Sequence, residues 1–392
     1  MPNKNPPAFT GLILVSGEDR PGITQSLMKV LSQFSVNVID VEQLIIRDRL
    51  LLTVLITLDE NHAEAVAADL SILQEEIGLD IAIDFVHHEQ NNENSELLNV
   101  VIIGESIKPI GLASVADEIA RLGGNIIAIR RTATTPVLAI ELNIEIPNKS
   151  IKEVQRSLAK VAITNRIDLA VEPSSRAREA KRLVLLDMDS TLIQQEVIDL
   201  LAKHAGKLDQ VSQITESAMA GDLDFSQALS ARVALLAGLD QSVIELVRKE
   251  ITLTNGAKEL IETLHKQGHK VGVVSGGFLD VIEPILKDLK IDFYRANKLE
   301  IMNGKLTGKT EGAIIDRVAK FSSLQEFAKI EGVELSQTVA IGDGANDLDM
   351  IEAAGLGIAF NAKPKVAAAA ATTISTSDLS TVLLLMGIQT SL

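Results

Sequence analysis

Leu183-Val184-Leu185-Leu186-Asp187-Met188-Asp189-Ser190-Thr191 sets four apolar residues directly against two carboxylates two positions apart. An unbroken apolar run of this length suits a strand buried on both faces, as in a parallel sheet covered by helices. Alternate residues leave an extended chain on the same side, so Asp187 and Asp189 meet near one point at the strand's carboxyl end. Two carboxylates there repel each other, and a divalent cation would relieve the repulsion while binding phosphate oxygens. The plainer reading is a helix start, with Asp189 or Ser190 as the cap.

Similar apolar runs recur at 270–274, 338–341 and 357–360 and alternate with helical patterns, which predicts a doubly wound α/β sheet. Two of them end in polar clusters. Ser275-Gly276-Gly277 offers a hydroxyl and bare amides to a phosphoryl group, although such a tripeptide is also an ordinary loop. In Gly342-Asp343-Gly344-Ala345-Asn346-Asp347 the two carboxylates could supply metal oxygen or anchor other ligands, and Asn346 could bond phosphate. A turn held by Asx bonds explains the glycines there but not two further carboxylates at the same sheet edge. The helical stretch 196–268 is too long for a simple crossover and reads as a cap inserted over the strand ends.

Upstream, residues 9–89 follow the pattern strand, helix, strand, strand, helix, strand, a βαββαβ unit. The polar run 87–96 reads as a linker, and the order then repeats. Pro21 and Asn37 are as far apart as Pro109 and Asn125, so Asn37-Val38-Ile39-Asp40-Val41 aligns with Asn125-Ile126-Ile127-Ala128-Ile129 without a gap. Internal duplication is the simplest explanation. The charged segment 173–182 separates the repeats from the α/β region, giving units at 9–90, 97–172 and 183–392.

The whole chain narrows the function. With 392 residues, 46% hydrophobic and only 3% aromatic, its several cores must be built from aliphatic side chains. A formal net charge of −16 argues against nucleic acid as a partner, because backbone binders need a basic surface. An anionic small substrate then needs local cations from a metal and a few basic side chains. The absence of cysteine excludes disulfides, thiolate zinc sites and cysteine nucleophiles. Residues 1–7 are polar and no apolar run approaches a membrane span, so a soluble, cytoplasmic chain without membrane contact is expected.

Taken together, Asp187-x-Asp189-x-Thr191, Ser275, a lysine and Gly342-Asp343-Gly344-x-Asn346-Asp347 resemble the ordered motifs of the haloacid dehalogenase superfamily phosphatases. Within that superfamily the local sequences are most similar to the phosphoserine phosphatase family. The resemblance implies hydrolysis of O-phosphoserine to serine and phosphate, the last step of serine biosynthesis. It makes Asp187 the nucleophile and Asp189 the general acid/base. Mg²⁺ would be held by the Asp187 carboxylate, the Asp189 backbone carbonyl and Asp343, with Asn346 and Asp347 shaping the site. Ser275, Gly276 and Lys320 would bind phosphate, with Lys309 as the rival ammonium. Glu196 resembles the ligand of the substrate ammonium, Arg232 that of its carboxylate, and Phe225 an apolar lid element.

The N-terminal repeats resemble ACT domains, a ferredoxin-like βαββαβ fold that often binds amino acids. Gly17-Glu18-Asp19-Arg20-Pro21-Gly22-Ile23 looks like their ligand loop. The resemblance assigns Asp19, Arg20, Pro21, Gly22 and Asn37 to an amino-acid effector such as serine, and implies a homodimer. The second copy, Ile107-Lys108-Pro109-Ile110-Gly111, lacks the Asp and the Gly after Pro, which leaves packing or dimerisation as its role. Two other readings stay open. One is a phosphatase or phosphotransferase acting on another small phosphomonoester, and the other is an amino-acid-sensing regulatory protein.

Overall fold

A computed structural model describes residues 8–88, 95–174, 180, 183–220 and 223–388. Most of the proposed linker 87–96 and of the charged segment 173–182, together with residues 1–7, lies outside the described residues. The chain divides into two compact units, Met1–Glu93 and Asn94–Leu392.

The first unit runs β1 (Ala8–Glu18), α1 (Ile23–Leu31), β2 (Asn37–Ile46), β3 (Arg49–Thr57), α2 (Ala63–Ile77) and β4 (Asp80–His88). Its antiparallel sheet has the order β2-β3-β1-β4. Alternation in β3 turns Leu50, Leu52, Val54 and Ile56 into a core with Leu27, Leu31, Val66 and Leu70 of the helices. Arg47 and Asp48, both at positive φ, make the tight turn between β2 and β3. Edge strand β2 is exposed along its whole length, although it carries Val38, Ile39, Val41, Leu44, Ile45 and Ile46.

The second unit opens with the same topology: β5 (Ser95–Gly104), α3 (Pro109–Arg121), β6 (Asn125–Ala133), β7 (Leu138–Pro147), α4 (Ile151–Asn165) and β8 (Asp168–Pro173), in the order β6-β7-β5-β8. One face of this sheet packs Val100 and Ile102 against Val115 and Leu158 of the helices. Its opposite face carries Val101, Ile103, Ala139 and Ala170, which are buried in one cluster with the α/β region.

That region is a seven-stranded sheet. Its strands are β9 (Leu183–Leu186), β10 (Lys270–Phe278), β11 (Phe293–Met302), β12 (Lys305–Glu311), β13 (Thr338–Gly342), β14 (Leu356–Phe360) and β15 (Thr373–Ile374), in the order β12-β11-β10-β9-β13-β14-β15. All neighbours are parallel except the β11–β12 hairpin. From β9 the chain winds outward through β10 and β11, then returns to build the other side from β13. The strand order therefore reverses at β9, and sheets of this kind bind ligands beyond the carboxyl ends at such a point.

Between β9 and β10 lie α5 (Val197–His204), α6 (Leu208–Ala220), α7 (Phe225–Ala234), α8 (Val243–Glu250) and α9 (Ala257–Lys266). Helix α9 packs on β10, so the end of the stretch read as a cap is a crossover helix of the sheet. Helix α7 lies against β12 instead. Among the described residues, no helix is long and apolar enough to cross a membrane.

Candidate active site

Four buried residues of β9 deliver Asp187 to the sheet's carboxyl edge, where its N–H donates to the Ile341 carbonyl of β13 at 2.9 Å. The Asp187 carboxylate accepts from the Met188 N–H at 2.7 Å and is 4% exposed. Its Oδ2 lies 2.7 Å from Nζ of Lys320, a lysine with no exposed surface. Helix α10 (Arg317–Glu331) carries that lysine inward, and the same ammonium donates to Oδ1 of the fully buried Asp347 at 2.7 Å. The alternative lysine, Lys309, is exposed on β12.

Asp189 follows on the same turn. Its Oδ1 accepts from the Val197 N–H at 3.0 Å, the first amide of α5, whose N-cap residue is Glu196 and not Asp189, and Oδ2 receives the Ser275 hydroxyl at 3.5 Å. Ser275, fully buried, also accepts from the Gly277 N–H at 2.8 Å. A methyl group on Gly277 would stand 2.6 Å from Asp189 Oδ2, and one on Gly276 would stand 3.0 Å from Phe225 Cζ of α7. The glycines thus let the Ser275 loop lie directly under both the carboxylate and the cap. Asn297 of β11, 2% exposed, ties this loop down by donating to the Gly276 carbonyl at 2.8 Å while accepting from the Ile315 N–H.

Asp343 and Asp347 come from the end of β13 and the turn after it. Thr191 donates to Asp343 Oδ1 at 3.2 Å, and the Gly344 N–H donates to Asp347 Oδ2 at 3.0 Å. Oxygens of Asp187, Asp343 and Asp347 all lie within 4.8 Å of one another. Asn346 sits half-buried in the same turn.

The electrostatics follow from one ammonium among several carboxylates. Burial, then Asp347, push Asp187 well above the ordinary carboxylate range against the pull of Lys320. Burial, then Glu196, raise Asp189 to about 8, and burial, then Asp347, raise Asp343 to about 7. Burial works against the Lys320 charge, but Asp187 and Asp347 outweigh it and hold its pKa above the usual lysine value. A cluster of this composition is short of positive charge. Its hard oxygen donors suit a divalent cation such as those that favour carboxylate ligands.

On the cap side, Glu196 is exposed at the head of α5 and accepts from the Ser190 hydroxyl at 2.7 Å. Arg232 of α7 is half-buried, donating to the Ala228 carbonyl at 3.3 Å and to Thr215 Oγ1 of α6 at 3.5 Å. Burial lowers its pKa while the charges of Glu196, Asp199 and Asp189 oppose that shift. Asp199, Thr215 and Asn297 belong to the site's surroundings, yet none carries a local sequence signal. In the first unit, Asp19, Arg20, Pro21, Gly22, Thr24 and Gln43 line a cavity of about 400 Å³. Asn37, at the start of β2, is not part of its lining.

Residues 184–352 match the family of haloacid dehalogenase-like hydrolases, and residues 10–84 and 98–172 each match an ACT domain family. Phosphoserine phosphatase SerB2 of Mycobacterium tuberculosis is 43% identical over 98% of this chain and 94% of its own length. The phosphoserine phosphatase of Streptomyces coelicolor is 45% identical over 97% of this chain and 92% of its own. Among solved structures, a phospho-aspartyl intermediate analogue of a phosphoserine phosphatase is 45% identical with a TM-score of 0.50, covering 52% of this chain and 98% of that one. An unliganded probable phosphoserine phosphatase from Vibrio cholerae is 31% identical with a TM-score of 0.56, covering 74% of this chain and 87% of that one.

Proposed function

The chain belongs to the phosphoserine phosphatases of the haloacid dehalogenase-like hydrolases, and from that premise we propose that Asp187 takes the phosphoryl group of O-phosphoserine while Asp189 handles the proton. The observation that carries this assignment is the buried Lys320 ammonium, 2.7 Å from Asp187 Oδ2, which orients the attacking carboxylate of the pair. Asp187 attacks phosphorus and the ester oxygen of the substrate leaves, giving an aspartyl phosphate and serine. Asp189, raised to about 8, carries a proton at neutral pH and gives it to that oxygen. It then takes a proton from the water that cleaves the aspartyl phosphate and releases phosphate. The Ser275 hydroxyl, the Gly276 amide and Lys320 bind the transferring oxygens.

Mg²⁺ is the proposed cofactor, held by the Asp187 carboxylate, the Asp189 main-chain carbonyl and Asp343, with Asn346 and Asp347 beside them. When bound, it neutralises charge on the phosphoryl oxygens. The chain's own residues select the substrate. Glu196 takes its ammonium, Arg232 grips its carboxylate through paired hydrogen bonds, and Phe225 closes over the Ser275 loop. Asp187→Asn and Asp189→Asn are expected to keep the fold and to abolish phosphate release from O-phosphoserine. Substantial turnover by Asp187→Asn, or trapped phosphate on any other residue, would remove this mechanism.

For the N-terminal domains, the cavity bounded by Asp19, Arg20, Pro21 and Gly22 supports binding of a small amino acid, with serine as the effector. Asn37 is assigned to the same effector on its motif position alone. The exposed apolar edge β2 supports a homodimer. A charged small-molecule substrate fits a cytoplasmic location. Calorimetric titration of the full chain with serine tests the effector, and absence of heat would remove that role.

A further inference from the structure

The turn that carries Asp187 and Asp189 is braced from outside. Residues 252–255 run alongside residues 192–195: the Gln194 N–H donates to the Thr252 carbonyl at 3.0 Å and the Thr254 N–H to the Leu192 carbonyl at 3.0 Å. Thr254, 9% exposed, donates its hydroxyl to the main-chain carbonyl of Thr191 at 2.7 Å. Thr191 is the residue whose own hydroxyl reaches Asp343. One threonine hydroxyl therefore holds the main chain at Thr191, the residue whose side chain links the aspartate turn to the second carboxylate cluster. The turn needs such a hold, because Ser190 sits at φ 55°, a left-handed conformation that residues with a side chain keep only when their surroundings enforce it.

The brace is anchored on its far side as well. The Asn255 carbonyl accepts from the Leu379 N–H at 2.8 Å. Gly256, at φ 73°, lies so close to the following segment that a methyl group would meet the Asp378 carboxylate and come within 2.6 Å of the Ser380 nitrogen. Residues 252–256 are thus clamped between the aspartate turn and the C-terminal segment, and cannot drift independently of either.

We propose that Thr254 is a positioning residue for phosphoryl transfer, acting through the Thr191 carbonyl to set the Asp187–Asp189 turn against Asp343. The proposal rests on Asp187 being the nucleophile. Its test uses the full chain with O-phosphoserine and Mg²⁺, comparing wild type, Asp187→Asn, Thr254→Val, Thr254→Ala and Thr254→Ser. Valine keeps the shape and removes the hydroxyl. It is expected to lower kcat by roughly 10- to 100-fold, as a misplaced reacting group does, with KM little changed. Serine restores the hydroxyl and is expected to recover most of kcat. A valine variant with wild-type kcat, or a serine variant no better than alanine, overturns the proposal. Should the valine variant not fold, the serine and alanine variants decide by the same comparison. Retained turnover in Asp187→Asn would instead overturn the nucleophile assignment, a separate result.

Discussion

Lys320 shows how one residue sets the balance of the site. Its ammonium is fully buried and shared between Asp187 and Asp347, while Asp343 and Asp189 stand nearby with no ammonium of their own among the described residues. Lys320→Met would leave buried carboxylates uncompensated, and losing one partner of such a pair costs about 3–5 kcal/mol. Urea titration should show that loss together with loss of phosphate release. The excess carboxylates also fix a pH trend. Unfolded aspartates titrate near 3.8, whereas folded Asp343 and Asp189 titrate at about 7 and about 8. Between those limits the folded chain holds the extra protons, so stability rises as pH falls, and above about 8 the cost of the charged forms is fully present. In EDTA, Tm should increase from about pH 9 to about pH 6. Mg²⁺ should raise Tm most at the alkaline end, since it binds the charged forms. A flat profile in EDTA would show that the carboxylates do not share protons in this way. The carboxylates were legible in the sequence because strand ends put them there. Lys320 is preferred over Lys309 by the family resemblance and not by its own surroundings, because helical spacing does not reveal that a lone lysine turns inward.

Elements bring these residues together, and the meeting of α7 with the loop after β10 is the narrowest joint. Phe225 is the first residue of α7, and the space for its ring exists because residue 276 is glycine. Phe225→Ala removes the apolar cover over the Ser275 loop and is expected to raise KM for O-phosphoserine roughly tenfold, the loss of about 1.4 kcal/mol of contact. Steady-state kinetics checks it, and an unchanged KM would show that the ring does not close on substrate. The strands carrying the site were readable because apolar runs end at polar clusters. β11 was not, since Phe293-Tyr294-Arg295-Ala296-Asn297-Lys298 mixes polar and apolar residues along a strand that is half-buried. With β11 went Asn297, the residue that ties down the Ser275 loop. The cap's end was overrun for a different reason. Helix α9 is amphipathic like its predecessors, and periodicity records that a helix has a buried face without recording what covers it.

At the scale of the molecule, the two βαββαβ domains share a topology and differ in what their sheets meet. The first presents β2 bare, and Val41→Lys with Ile45→Lys should convert a dimer to a monomer by light scattering if that edge joins two copies. The second is fused to the α/β region. Asp168 at the start of β8 is 4% exposed and accepts from both the N–H and the hydroxyl of Ser375 at 2.8 Å, just beyond β15. Val101, Ile103, Ala139 and Ala170 share their buried cluster with Ile374, Val382 and Leu385. Repetition in the sequence announced two similar domains, but not that only one of them would belong to the catalytic unit, because a strand's second buried face looks the same whether a helix or another domain covers it. A chain of residues 95–392 should therefore fold and hydrolyse O-phosphoserine. A chain of residues 183–392 keeps every proposed catalytic residue but uncovers the apolar surface around Ile374. Burial is worth about 25 cal/mol per Å², so a few hundred Å² of newly wet surface costs several kcal/mol. The shorter chain should accordingly melt well below the longer one and associate in solution, as thermal melts and light scattering would register. Equal Tm and a monomeric shorter chain would mean that the second domain rests on the catalytic unit without stabilising it.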